Sequence, residues 1–239
     1  EQGLENFVPY ITSKFDTFIS NEIMRPIIAQ EKSSFNFRDI MDNKKILLVN
    51  LSKGRLGEIN SSLLGLILVG KLQMAALSRA DSVGVNFPPF YLYIDEFQNV
   101  VTPSISSILS EARKYKLSLN VAHQYLAQLQ DNIKNAVLGN VGSMAIFRIS
   151  AEDAGSLEKR LEPVFSVADI IKLDNRNAYM SMLIDGQPAK PFSIKTDNWP
   201  AGNPEIVPLI KELSHTKYGR ERSVVEDEIM GKFEKIYNQ

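Results

Sequence analysis

Short apolar runs of strand length alternate along this chain with longer stretches whose apolar residues recur at helical spacing, and that alternation limits the folds open to it. "KILLVNL" (45–51), "FYLYI" (90–94), "LSLNVA" (117–122) and "SMAIFRI" (143–149) are rich in Val, Ile, Leu, Phe and Tyr and read as strands. Between them lie segments of helical type. One runs from about Ser61 to Arg79, rich in Leu, Ala and Met; a second opens at Thr102-Pro103 as N-cap and first helical residue and ends near Lys116. Its apolar face is Ile105, Ile108, Leu109 and Ala112. A third covers about Tyr125 to Leu138, and a fourth 151–161, where Ser150 with Asp153 resembles a capping box. Strands separated by helices need crossover connections, so the expected fold is α/β, a mostly parallel sheet flanked by helices. The remainder differs. "NAYMSMLIDGQPAKPFSIKT" (177–196) predicts two strands around the turn Asp185-Gly186, and the tail after Asn203 predicts two polar helices. The expected divisions are an N-terminal helical segment (1–44), the α/β region (45–196) and a helical tail (197–239).

Composition narrows the function. With 239 residues, 44% of them hydrophobic, the chain can bury a sizeable core. Its 27 basic and 28 acidic residues leave a net charge of −1, so no overall field draws it to nucleic acid or an acidic membrane surface. Contacts of that kind depend on local patches. The absence of cysteine excludes disulfides and thiolate metal sites and fits a reducing compartment. The longest apolar run, Leu63 to Gly70, is too short to span a bilayer, and "EQGLENFVPY" has no signal-peptide pattern. Without an initiator methionine, the chain is read as a piece of a longer protein. His123 and His215 are far apart and lack ligand partners, so zinc is not expected.

The chemistry concentrates where "FYLYI" ends in Asp95-Glu96. In an open parallel sheet, ligands sit beyond the carboxyl ends of the strands, so acids placed there face a site rather than the core. Two adjacent acids suit magnesium-nucleotide hydrolysis: the first holds Mg²⁺, and the second orients or polarises water at the γ-phosphate. This is a Walker B pattern. The dipeptide alone equally suits a turn cap, so the assignment depends on its neighbours. Arg113, on the following helix, and Gln124, just past the next strand, fall where they can flank a nucleotide bound at adjacent strand ends. Arg148, at the end of "SMAIFRI", is placed on the same nucleotide side.

The run "YIDEFQN…ILSEARKYKLSLNVAHQYLAQL" resembles the second half of the motor domain in type IV secretion coupling proteins of bacterial conjugation, in the FtsK and HerA superfamily of hexameric DNA pumps. The resemblance covers roughly residues 40 to 195, and "KYGRER" near the C-terminus is similar to tails of bacterial members. In that family Walker B is followed by a helix bearing "GR" or "AR", then a strand ending in "Q" with a further "QL". Carried over, the resemblance implies that Asp95 is the magnesium-associated acid and Glu96 the catalytic acid. Arg113 matches an arginine that enters a neighbouring subunit's site, and Gln124 matches a sensor coupling the γ-phosphate to movement. It also implies a RecA-like fold, with 45–196 as the C-terminal half of an ATPase domain, and ATP and Mg²⁺ as cofactors. The implied partners are DNA held without sequence preference, further copies of the chain in a hexamer, and relaxosome or secretion-channel proteins. The implied location is cytoplasmic, at the face of the inner membrane where membrane segments lie outside this chain.

One segment imitates the missing phosphate loop. "GLILVGKL" (65–72) fits G-x4-G-K up to Leu72, where Ser or Thr is needed. Leu66, Ile67, Leu68 and Val69 belong to a helical pattern, whereas a phosphate loop follows a strand and exposes backbone N–H groups. The expectation is a helix, no nucleotide hydrolysis by this chain alone, and a phosphate loop supplied upstream or by a partner. Lys53 and Arg55 are expected in a solvated loop, Tyr91 and Tyr93 packed in the sheet, and Trp199 packed on the surface of the core. Three readings stay open beside the DNA pump: a HerA-like helicase, a protein-secretion ATPase, and a non-catalytic module that binds an ATPase partner.

Overall fold

The computed structural model describes residues 9, 13, 18–82, 84–101, 105, 109 and 111–237. Its elements in chain order begin with α1 (Met24–Ile28), α2 (Phe37–Asp42), α3 (Lys53–Leu56), α4 (Glu58–Leu77), β1 (Phe90–Ile94) and β2 (Leu117–Val121). They continue with α5 (Asp131–Asn140), β3 (Met144–Ile146), α6 (Ala151–Leu161), α7 (Val167–Ile171) and β4 (Asn177–Ser181). The last are β5 (Leu183–Ile184), β6 (Gln187–Pro188), β7 (Phe192–Lys195), α8 (Ile206–Tyr218) and α9 (Arg222–Tyr237). The chain divides into two compact units, Glu1–Leu68 with Gly202–Gln239, and Val69–Ala201.

In the unit formed by the two ends of the chain, Met24, Met41, Val225 and Ile229 are buried. Asn36 caps α2, its side chain accepting from the N–H groups of Arg38 and Asp39. Arg222 of α9 pairs with Glu22, and Lys232 with Glu31. The tail forms the two expected helices, but α8 is not polar throughout: Ile206, Val207, Leu209, Ile210 and Leu213 are all exposed. The expected strand at 45–51 does not form: the segment has no regular secondary structure and no ladder partner among the described residues. Ile46 and Leu48 are therefore exposed. Lys53 and Arg55, expected in a loop, are exposed on the single turn of α3.

Helix α4 settles the imitation phosphate loop. Residues 65–72 lie inside its twenty-residue span, so their N–H groups serve the helix ladder and cannot surround an anion. A Cβ added at Gly70 would meet nothing within 4 Å, so no close approach requires that glycine. The helical segment Glu58–Asp81 is also long and apolar enough to cross a membrane by length and composition, a test that a core helix passes as well. That exceeds the eight-residue run read from the sequence, because Ala75, Ala76 and Leu77 extend the apolar character past Lys71.

The second unit holds the parallel pair. β1 and β2 run parallel in register from Phe90 opposite Leu117 to Ile94 opposite Val121. One face carries Tyr91, Tyr93, Ser118 and Asn120. Tyr91 and Tyr93 are 57% and 74% exposed, against the expectation that they pack in the sheet. Trp199, expected against the core, is likewise 92% exposed. Arg79 is buried and donates to Tyr115 O at 2.7 Å, with its guanidinium 5.0 Å from the Phe87 ring centroid. The N-cap expected at Thr102-Pro103 and the residue Ile108 lie outside the described residues, but Ile105 and Ala112 are buried as their spacing requires. Lys116, in the left-handed region at φ 59, ends that segment where expected.

"SMAIFRI" forms the short strand β3, which pairs antiparallel with β4, itself antiparallel to β7. Parallel pairing among the described residues is thus confined to β1 and β2. The expected turn forms, with Asp185 at φ 51 and Gly186 at φ 79 linking β5 to β6. Positive φ at both central residues is what a tight hairpin demands.

The capping box expected at α6 is used in two directions. Ser150 accepts from Asp153 N at 3.3 Å, as a cap should. The Asp153 carboxylate instead accepts from Leu126 N at 3.1 Å, 27 residues earlier in the chain, and is buried there. Arg160 of the same helix donates to Val141 O at 3.2 Å and to Leu138 O, satisfying carbonyls at the end of α5. The full capping box sits at α7, between Ser166 and Asp169.

Two outcomes follow from this architecture. Asp153→Ala leaves the Leu126 N–H without its buried acceptor and should destabilise by about 1–3 kcal/mol in urea titration, whereas exposed Glu152→Ala should stay within about 0.5 kcal/mol. Lys71→Ala should leave any Mg-ATP affinity of residues 1–239 unchanged in isothermal titration. Micromolar binding lost with Lys71 would contradict the helical assignment.

Candidate functional site

The carboxyl end of β1 is held by a sequence of local bonds. Ala122 N, just past β2, donates to Ile94 O at 2.9 Å, and Phe97 N donates back to Ala122 O at 2.9 Å. The chain thereby makes one further link between neighbouring strands after β1 has ended. Phe97 is fully buried and begins a single 3₁₀ turn, Phe97–Val100, whose last residue is also buried. Between strand and turn, Glu96 takes the left-handed conformation, φ 50 and ψ 48. A residue with a side chain pays of order 1–3 kcal/mol for such a conformation, which persists where the surroundings over-determine it. Here Asn99 helps to do so, donating from its backbone N–H and from Nδ2 to Glu96 O at 3.0 and 3.1 Å.

The bend separates the two acids. Asp95 is exposed, and its Oδ1 accepts from Glu96 N at 3.0 Å. Glu96 is half-buried with both carboxylate oxygens engaged: Oε1 accepts from Gln124 Nε2 at 2.9 Å, and Oε2 from Gln98 Nε2 at 2.6 Å. Glu96 and Gln124, singled out from the sequence for their places past adjacent strands, are therefore brought into direct contact. Gln98 was visible as one of the amides following the acid pair, but nothing in the sequence says that its side chain turns back onto Glu96.

The remaining candidates are placed apart from this cluster. Arg113 is exposed on the 3₁₀ turn Ala112–Tyr115; among the described residues it forms no ion pair, and none joins it to Glu111. Arg148 follows β3 and donates from Nη2 to Asn175 Oδ1 at 3.0 Å. His123 Nδ1 is buried without a hydrogen-bond partner. No group of three or more His, Cys, Asp or Glu residues that could hold a metal occurs among the described residues. The donor set nevertheless suits Mg²⁺ held in the usual way with a nucleotide, through one or two carboxylates while water and phosphate oxygens complete the shell. Asp95 supplies such a carboxylate.

The family described as the TraM recognition site of TraD and TraG matches residues 89–158, the stretch that carries β1, β2, the acid pair, Arg113, Gln124 and Arg148. No curated protein matches the chain. Among solved structures, the plasmid coupling protein TrwB in complex with the non-hydrolysable GTP analogue GDPNP is similar with a TM-score of 0.55 at 15% identity. The alignment covers 75% of this chain and 47% of that one. The bacterial conjugative coupling protein TrwBdeltaN70, in an unbound form, gives a TM-score of 0.45 at 16% identity over 60% of this chain and 38% of that one. The chain spans less than half the length of either. The chain shares the α/β fold of that GDPNP-bound structure, and the acid-bearing strand end lies within residues 89–158, which match the family model.

Proposed function

We propose that this chain is the Walker B half of an ATP-driven motor that moves DNA during conjugation. The observation that carries the reading is the 2.9 Å bond between Gln124 and Glu96, which joins the ends of parallel neighbours around an acid pair. That arrangement gives a base and a reporter in one hydrogen-bonded unit. Glu96 would accept a proton from water, and Asp95 would hold a magnesium ion, whose chemistry there would be charge neutralisation at the phosphates. Gln124, bonded to Glu96, would also reach a nucleotide bound at these strand ends, and a change there would alter what holds Glu96 and the loop after β2. Arg113, exposed and without an ion pair among the described residues, is available to a neighbouring subunit's site in a hexameric ring. The 89–158 match supports a second property of the same region, contact with a relaxosome protein of the TraM type.

The motor reading depends on a phosphate loop from outside this chain, since α4 cannot provide one. DNA would be gripped through its phosphates, independently of sequence. The GTP analogue bound to TrwB supports a nucleoside triphosphate as the ligand class, with ATP as the proposed fuel.

Two experiments on the assembled motor test these roles. Glu96→Gln keeps shape and removes the base, so Mg-ATP binding should persist while kcat falls by about 10² or more; Asp95→Ala should weaken Mg-ATP binding as well. A Glu96→Gln motor that turns over at the parental rate would refute the assignment. For trans action, Arg113→Ala and Glu96→Gln subunits should each be inactive, with a loss of about 10³ or more for the arginine, yet mixed rings should recover hydrolysis where an intact Glu96 site faces an intact Arg113. Full activity of Arg113→Ala rings removes that role.

A further inference from the structure

Each oxygen of the Glu96 carboxylate accepts from a different side-chain amide, and the two donors stand on unequal ground. Gln124 follows β2 and is exposed. Gln98 belongs to the turn Phe97–Val100, anchored by two buried side chains, and its Nε2 lies 2.6 Å from Glu96 Oε2. Its Oε1 is buried with no hydrogen-bond partner. Packing alone does not account for a glutamine there, because an orphaned buried carbonyl is unfavourable and an apolar side chain of the same shape would fill the space without it. Flipping the amide offers no relief, since it would set oxygen against the carboxylate. The side chain is explained by the bond that its donor end makes.

We propose that Gln98 is a positioning residue for Glu96, holding the carboxylate in place when Gln124 is drawn toward the nucleotide. The inference rests on the reading of Glu96 as the base. A carboxylate offers about four lone-pair sites, so the two amides fix its orientation and leave acceptor sites for the proton of water. Once Gln124 leaves Oε1, the bond to Gln98 and the left-handed backbone are what keep Glu96 from swinging into solvent. Gln98 acts through Glu96 and need not touch the substrate.

The test is kinetic, in the assembled ATP-hydrolysing motor. Gln98→Met removes the donor at nearly constant volume. It should lower kcat by about tenfold, with Mg-ATP affinity by titration and KM unchanged. Placed on Glu96→Gln, it should cause no further fall in single-turnover hydrolysis, because the base that it positions is gone. Gln98→Leu likewise removes the donor without adding a charge beside Glu96 and should give the same pattern, so a folding defect in one variant leaves the test intact. Parental kcat in both variants overturns the inference, and so does an equal fall on the two backgrounds, which marks a purely structural role. Parental turnover by Glu96→Gln itself would instead refute the reading of Glu96, so the two failures are told apart.

Discussion

Phe97 is fully buried, and its amide N–H is bonded to Ala122 O beyond the end of β2. Burial of a side chain of this size stabilises by about 1.5–3 kcal/mol, which is enough to offset the left-handed backbone imposed on Glu96. With Phe97 turned inward, the preceding residue must point its side chain along the strand ends. There it meets Gln124. The register of the parallel pair sets that meeting, since Ile94 stands opposite Val121 and Ala122 continues the pairing. A one-residue slip would turn Glu96 and Gln124 to different faces.

A second set of bonds holds the segment that carries Gln124. Leu126 is buried two residues later, and its N–H is received by the buried carboxylate of Asp153 from α6. The same helix sends Arg160 to the terminal carbonyls of α5. Helix α6 therefore satisfies backbone groups on both sides of α5 and ties the loop after β2 to the small antiparallel sheet, where Ala178 of β4 is also buried. Movement of Gln124 in response to a ligand would load these bonds first.

Much apolar surface remains exposed. Tyr91 and Tyr93 are exposed on one face of the parallel pair, and Ile46 and Leu48 are exposed on a segment without a ladder partner among the described residues. Parallel sheets are ordinarily covered on both faces. The chain spans 47% of the length of the TrwB structure with which it shares this fold.

Local sequence determined a good deal of this. The periodicity of Glu58–Leu77 decided that "GLILVGKL" is helix, the apolar runs placed β1 and β2, Asp185-Gly186 made the tight turn, and acids after a strand located the candidate site. Each of these depends on neighbours in the chain, where spacing and backbone preference suffice. Tertiary structure decided the rest: that β3 pairs antiparallel with β4, that Tyr91 and Tyr93 face outward, that Asp153 caps a turn 27 residues away, and that Gln98 folds back onto Glu96. Sequence carried the residue types for all of these but not their partners. A hydrogen-bond donor finds its acceptor only after burial of the surrounding side chains has fixed which groups lie within 3 Å, and that depends on packing across the whole unit.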